Sequence, residues 1–239
     1  MIFKNILITG VSGGLGKSLA LFLLKNNYKV IGISRKDPEI KNENFRFYSL
    51  DLNEIENIKG VLKEIVDIEG KIDGFVHCAG IHQVQPISLF KANDFEKLIK
   101  IHVTVPFEIL KYLSKNKYSD RASIVLISSL AAHEGAPGLS FYAAVKGALE
   151  GFLSSATAEL MNKHRINIVA PGVIESGMGK NYKEKLDESQ RDNLTRFYPM
   201  GLGTNEDLNN LIEFLLSSKS KWLTGQKILL DGGHLSVPR

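Results

Sequence analysis

The sequence predicts an α/β protein, a doubly wound parallel sheet of seven strands with helices on both faces, formed by residues 1–239 as a single domain. Two features carry this. Short apolar runs alternate with stretches of helical periodicity along the whole chain, and a glycine-rich turn, TGVSGGLGKSLA, joins the first apolar run directly to the first helical one. A parallel strand covered on both faces is apolar at consecutive positions rather than at every second one. NILITG, YKVIGIS, ASIVLISS and INIVAPG have that character, and FRFYSLDL, IDGFVHCAG and QKILLDGG complete the set.

Helices are expected over GKSLALFLLKNN and near NIKGVLKEIV, then as one long segment from about Asn93 to Ser114. FYAAVKGALEGFLSSATAEL and NEDLNNLIEFLLSS supply the last two. The stretch from Glu175 to Pro199 is too long for a plain connector and is expected to form a substrate lid. Its charges balance, and Met178, Tyr182, Leu186 and Phe197 could cover an acyl chain, whereas His82, Gln83 and Gln85 suggest polar contacts.

Composition narrows the function classes. With 44% hydrophobic and 23% charged residues the chain reads as an ordinary globular protein, and its net charge of +4 is scattered rather than gathered. Neither nucleic acid nor a membrane is expected as a partner, since no apolar run approaches the length of a span. The opening MIFKNILITG lacks a signal-peptide pattern, and the single Cys78 cannot form an internal disulfide, so a cytoplasmic location is expected.

The glycine turn places Gly10, Gly13, Gly14 and Gly16 where a chain needs positive φ and close approach of backbone amides to a pyrophosphate. After the second strand stand Ser34, Arg35 and Lys36 rather than a carboxylate. A guanidinium there attracts a ribose 2′-phosphate, which points to NADP(H) in preference to NAD. Asp51 could accept from an adenine amino group or cap the helix that begins near Asn53. On the helix FYAAVKGALEGFLSSATAEL, Tyr142 and Lys146 share one face, close enough for the ammonium to act on the phenol.

Taken in order, TGVSGGLG, CAG at 78–80, Ser129 in ISS, Tyr142, Lys146 and APG at 170–172 resemble the short-chain dehydrogenase/reductase family. The segment from Pro199 to Gly233 is similar to bacterial beta-ketoacyl-carrier-protein reductases. The resemblance implies a Rossmann-type fold and transfer of hydride between nicotinamide and a small-molecule carbonyl or secondary alcohol. By it, Tyr142 is the acid, Ser129 bonds the developing oxyanion, and Lys146 holds the nicotinamide ribose. It extends cofactor contact to Ser12, Leu15, Leu52, Cys78, Ala79, Gly80, Pro171, Gly172, Val173 and Ser176, with helix capping the lesser reading of Ser176. It also implies a homotetramer, built on the helices around 93–114 and 140–162 and on the C-terminal strand region. A non-catalytic nucleotide sensor on the same fold is the rival reading.

Two positions depart from the family pattern. His77-Cys78 replaces the usual asparagine pair, and His102 stands where family members carry an asparagine that completes the catalytic tetrad. Pro106 lies four residues beyond His102, and proline has no N–H to close a helical bond onto that residue's carbonyl. The carbonyl could then hold a relay water, the imidazole could shuttle protons itself, or residue 102 could be packing. No metal site is expected, because no ligands gather at metal spacing.

Overall fold

Alternation within the strands explains why helices cover both faces of the sheet. The structure, a computed structural model, describes residues 4–175, 187 and 196–236. Seven parallel strands run β1 (Asn5–Thr9), β2 (Lys29–Ser34), β3 (Phe45–Ser49), β4 (Gly74–His77), β5 (Ser123–Ile127), β6 (Arg165–Pro171) and β7 (Lys227–Leu230). In space their order is β3-β2-β1-β4-β5-β6-β7. Leu7, Ile31, Phe75, Ile124 and Ile166 share one core, while Ile6, Ile8, Val30, Val76 and Val125 share the other.

Among the described residues six α-helices flank the sheet: α1 (Gly14–Lys25), α2 (Ile58–Glu69), α3 (Ala92–Ile99), α4 (Val105–Leu113), α5 (Ser140–Leu160) and α6 (Asn205–Leu216). Leu62, Ile109 and Leu153 cover the first face, and Leu19, Leu23, Ile212 and Leu215 the second. Each such side chain contributes about 1.5–3 kcal/mol on burial. Local signals set the ends: Thr204 and Asp207 form a reciprocal capping box at the start of α6, and Gly70 ends α2 at φ +86.

The expected helix over 93–114 is broken. Between α3 and α4 the chain winds as a π-turn over Lys100–Thr104, with Val105 N–H bonded to the Lys100 carbonyl five residues back. In that register the partner of Pro106 is Ile101 rather than His102. The α-helical register behind the expected free carbonyl at residue 102 is therefore not the one adopted. Most of the expected lid, 176–186 and 188–195, lies outside the described residues.

Strand order reverses between β1 and β4, where Thr9 pairs with His77. Connections leave these two strands in opposite directions, which opens a crevice at their carboxyl ends.

Candidate active site

The glycine turn forms the near wall of that crevice, a cavity of about 690 Å³. Gly10 holds φ +79, and a Cβ there would sit 2.7 Å from the Ala79 nitrogen. A Cβ on Gly16 would lie 2.3 Å from the Gly10 carbonyl oxygen, so this glycine lets α1 pack on the turn rather than lining the cavity. At Gly13 a Cβ would meet nothing. Gly10, Ser12, Gly13, Gly14 and Leu15 line the wall, and backbone at the start of α1 can meet an anion there.

At the outer end the lining is Ser34, Arg35, Asp51, Leu52 and Asn53. Lys36 is exposed and is not among the lining residues; its carbonyl accepts from Ser34 Oγ at 2.7 Å. Asp51 caps no α-helix, because α2 begins only at Ile58. Its Oδ1 accepts from both the backbone and side-chain nitrogens of Asn53 at 2.9 Å. Those bonds, helped by Arg35 and Lys100 nearby, hold its carboxyl below the usual value.

Cys78, Ala79 and Gly80 form the floor. Burial pushes the Cys78 thiol up to about 12, which leaves it unreactive. Beneath the floor lies a polar chain the sequence did not announce. His77 Nε2 lies 2.9 Å from the Ile101 carbonyl, which can only accept, so Nε2 carries the proton. Burial pushes the His77 ring down to about 3, so the ring is neutral and Nδ1 accepts from Thr9 Oγ1 at 2.8 Å. Thr9 Oγ1 in turn accepts from Ala79 N–H at 3.4 Å. His77 thus braces the floor against the π-turn and occupies the carbonyl that faces Pro106.

The groups read as reactive meet at the inner end. Ser129 follows β5 in extended conformation, and its Oγ accepts from Ala131 N–H at 3.2 Å. The nearby Ser129 hydroxyl tends to lower the pKa of the Tyr142 phenol, but burial dominates and raises it to about 12. One turn along α5, Lys146 is buried; its Nζ lies 5.5 Å from the Tyr142 ring centre and donates to the Ile127 carbonyl at 2.7 Å. Burial brings Lys146 down to about 7. The expectation that its charge pulls Tyr142 towards neutrality is not met in this arrangement, because desolvation disfavours both charged forms.

His102 sits under Gly80, where a Cβ would lie 2.4 Å from the ring's Cε1. Its ring meets that of Tyr142 edge-on at 5.6 Å. Burial, with Lys146 nearby, pushes it down to about 2, so it is neutral. Nε2 meets both polar groups of the Ile81 backbone, the N–H at 3.2 Å and the carbonyl at 2.8 Å, and Nδ1 is buried without a protein partner among the described residues. On the other side of Tyr142, His82 packs edge-on at 4.9 Å.

The far wall comprises Pro171, Gly172, Val173, Ile174 and Tyr198, the last accepting from Val173 N–H at 3.2 Å. Ser176 lies outside the described residues. His234 and Glu134 complete the rim. His234 stacks on Tyr198 at 4.4 Å, its Nε2 is 2.6 Å from Glu134 Oε2, and its Nδ1 is 2.9 Å from the Phe197 carbonyl. Glu134, Tyr198 and His234 went unread in the sequence because they come from three separate loops with no common motif.

The cavity fits an extended dinucleotide: a glycine cradle, a cationic outer edge, and a phenol, an amine and a buried imidazole inside. Among the described residues no cluster could hold a metal ion, and no helix is long and apolar enough to cross a membrane. Such a fold and site define a dinucleotide-binding oxidoreductase. The comparisons agree: the family whose profile is described as enoyl-(acyl carrier protein) reductase matches residues 10–234. The 3-oxoacyl-(acyl-carrier-protein) reductase FabG of Rickettsia felis is 33% identical over 243 residues, covering 98% of both chains. That of Staphylococcus aureus strain Mu50 is 30% identical over 242 residues, covering 96% of this chain and 97% of the other. Among solved structures, ElxO with NADP bound superposes with a TM-score of 0.86 at 31% identity, covering 99% of this chain and all of that one. A short-chain dehydrogenase family protein from Francisella tularensis gives 0.89 at 28%, again covering 99% of this chain and all of that one. The chain belongs to the short-chain dehydrogenase/reductase family.

Proposed function

We propose that the protein is an NADPH-dependent reductase that converts a ketone to a secondary alcohol, with a 3-oxoacyl thioester as the leading substrate class. One observation carries this: Ser129, Tyr142 and, one turn along the same helix, Lys146 converge at the base of the cavity that the glycine turn walls. When bound, the nicotinamide supplies the hydride. Gly10, Ser12, Gly13, Gly14 and Leu15 would hold the pyrophosphate, Arg35 and Lys36 the 2′-phosphate, and Asp51 and Leu52 the adenine. Cys78, Ala79, Gly80 and Lys146 would meet the ribose, and Pro171, Gly172, Val173 and Ser176 the carboxamide.

Tyr142 gives its proton to the carbonyl oxygen as negative charge develops there, and Ser129 donates a hydrogen bond to the same oxygen. A buried phenol near 12 keeps its proton until that charge appears. Lys146, near 7, can return a proton towards Tyr142 at physiological pH. His102 Nδ1, a buried ring nitrogen with no protein partner among the described residues, is where a water could end this path.

Support for the thioester comes from the FabG relatives, which are named as 3-oxoacyl reductases, and from apolar lining at Ile81, Leu130, Leu139 and Ile174. A polar or sugar-linked ketone is favoured instead by His82, Glu134 and His234 on the same lining. Oxidation of NADPH with acetoacetyl-coenzyme A against a panel of keto sugars decides between them. Inertness towards both, with NADPH still bound, leaves the nucleotide-sensing alternative. A homotetramer completes the reading, supported by the edge position of β7 with Leu229 exposed; light scattering at the mass of a single chain would overturn it.

A further inference from the structure

Resting on the carbonyl reduction above, we propose that Glu150 is a positioning residue that holds Ser129 in register with Tyr142. Glu150 lies one turn beyond Lys146 and two beyond Tyr142 on the same face of α5. It is buried, and a buried carboxylate persists only where partners compensate its desolvation. Its Oε1 accepts from Ser128 Oγ at 2.7 Å and from His133 Nε2 at 3.0 Å, while Lys227 Nζ of β7 stands 3.9 Å from Oε2.

The partners sit on either side of Ser129. Ser128 precedes it directly, and its N–H is tied to the Val169 carbonyl of β6 at 2.7 Å. His133 follows the single 3-10 turn, Leu130–Ala132, that Ser129 starts. One carboxylate oxygen thus grips both ends of the segment 128–133 from the helix that carries Tyr142. Neither Glu150 nor His133 is among the residues lining the cavity, so any effect on chemistry must pass through the segment they hold. Two donors on one oxygen leave that segment little freedom, and catalytic pairs tolerate displacements of only about 0.5 Å.

The test compares the parent with E150L, E150Q and S129A, and with E150L combined with S129A. Turnover, NADPH affinity by nicotinamide fluorescence, and amide exchange over residues 128–134 are read for each. E150L should lose about tenfold in kcat, hold NADPH within about twofold, and exchange faster over 128–134. E150Q, whose amide oxygen can still accept from Ser128, should recover most of the loss. On the S129A background the leucine change should cost less than about twofold, because no hydroxyl remains to be positioned. Ser128→Ala and His133→Phe cut the same bonds from the other side, so the test survives a leucine variant that fails to fold. Additive losses, an effect confined to NADPH affinity, or unchanged exchange over 128–134 would overturn the proposal. A parent inert towards every carbonyl would defeat the proposed reaction, while the exchange measurement would still decide whether Glu150 holds the segment.

Discussion

The two ends of the cavity are built on opposite terms. At the outer end Arg35 and Lys36 are exposed, and the Asp51 carboxylate bonds nearby Asn53. At the inner end Tyr142, Lys146, His77 and His102 are all buried, and burial moves each pKa towards the neutral form. Exposed charges act through their sign, so residue type alone forecasts their behaviour. Buried groups act through hydrogen bonds and desolvation, which depend on register and depth.

The largest effect that would break this contrast belongs to the inner end. Tyr142→Phe should lower turnover by about a thousandfold or more while NADPH affinity stays within about twofold. Lys146→Ala should damage both, because the amine is expected to touch the ribose. If Tyr142→Phe kept most of its activity, the inner end would be a packed core and not a reaction site. At the outer end, Arg35→Asp should reverse the preference between NADPH and NADH, by about a hundredfold in the ratio of kcat/KM. That change should fade as salt rises, since Arg35 is exposed. Equal use of both cofactors by the parent would remove the basis for the outer-end assignment.

The same contrast decides what could be read without a structure. Apolar runs such as NILITG and ASIVLISS forecast the parallel sheet because burial on both faces demands them, and β1 and β5 follow. Gly10 was legible because its positive φ and its approach to Ala79 leave room for no other residue type. The π-turn was not legible: periodicity runs smoothly through Asn93–Ser114, and only the spacing between Pro106 and Ile101 separates the two registers. Nor was the direction of the Tyr142 shift, since i and i+4 spacing states proximity but not depth. A sharper signal was present at Glu150, a carboxylate on the helix face that also carries Tyr142, Lys146, Leu149 and Leu153.

Burial at the inner end also has a thermodynamic signature. Lys146 falls from 10.5 to about 7, so between those values the unfolded chain binds a proton that the folded one does not. Stability should therefore rise as pH increases from about 7 to 10.5, and Lys146→Met should flatten that rise and melt several degrees higher at pH 7. His77, moved from 6.5 to about 3, acts in the same direction at lower pH: stability should fall as pH drops below 6.5. His77→Asn should make that fall shallower. Melting curves across pH check both, and a Lys146→Met variant with the parent's slope would show that the amine is solvated in the folded protein.

The smallest expected effect, Pro106→Ala, probes how the π-turn is maintained. Proline withholds the N–H that Ile101's carbonyl would otherwise receive, and His77 Nε2 fills that place at 2.9 Å. Alanine restores a donor, so backbone and imidazole would compete for one carbonyl, and the ordinary α register becomes available from Lys100 to Thr104. A helix in that register turns His102 away from its seat beneath Gly80. Folding stability should change by less than about 1 kcal/mol, because the gain of a helical bond offsets the loosened His77. Turnover should fall about threefold with NADPH affinity almost unaltered, as the unpartnered His102 Nδ1 moves. His102→Ala removes that nitrogen outright and should cost at least as much. Turnover unchanged in both variants would reduce residue 102 to packing and leave the proton path to Tyr142 and Lys146 alone.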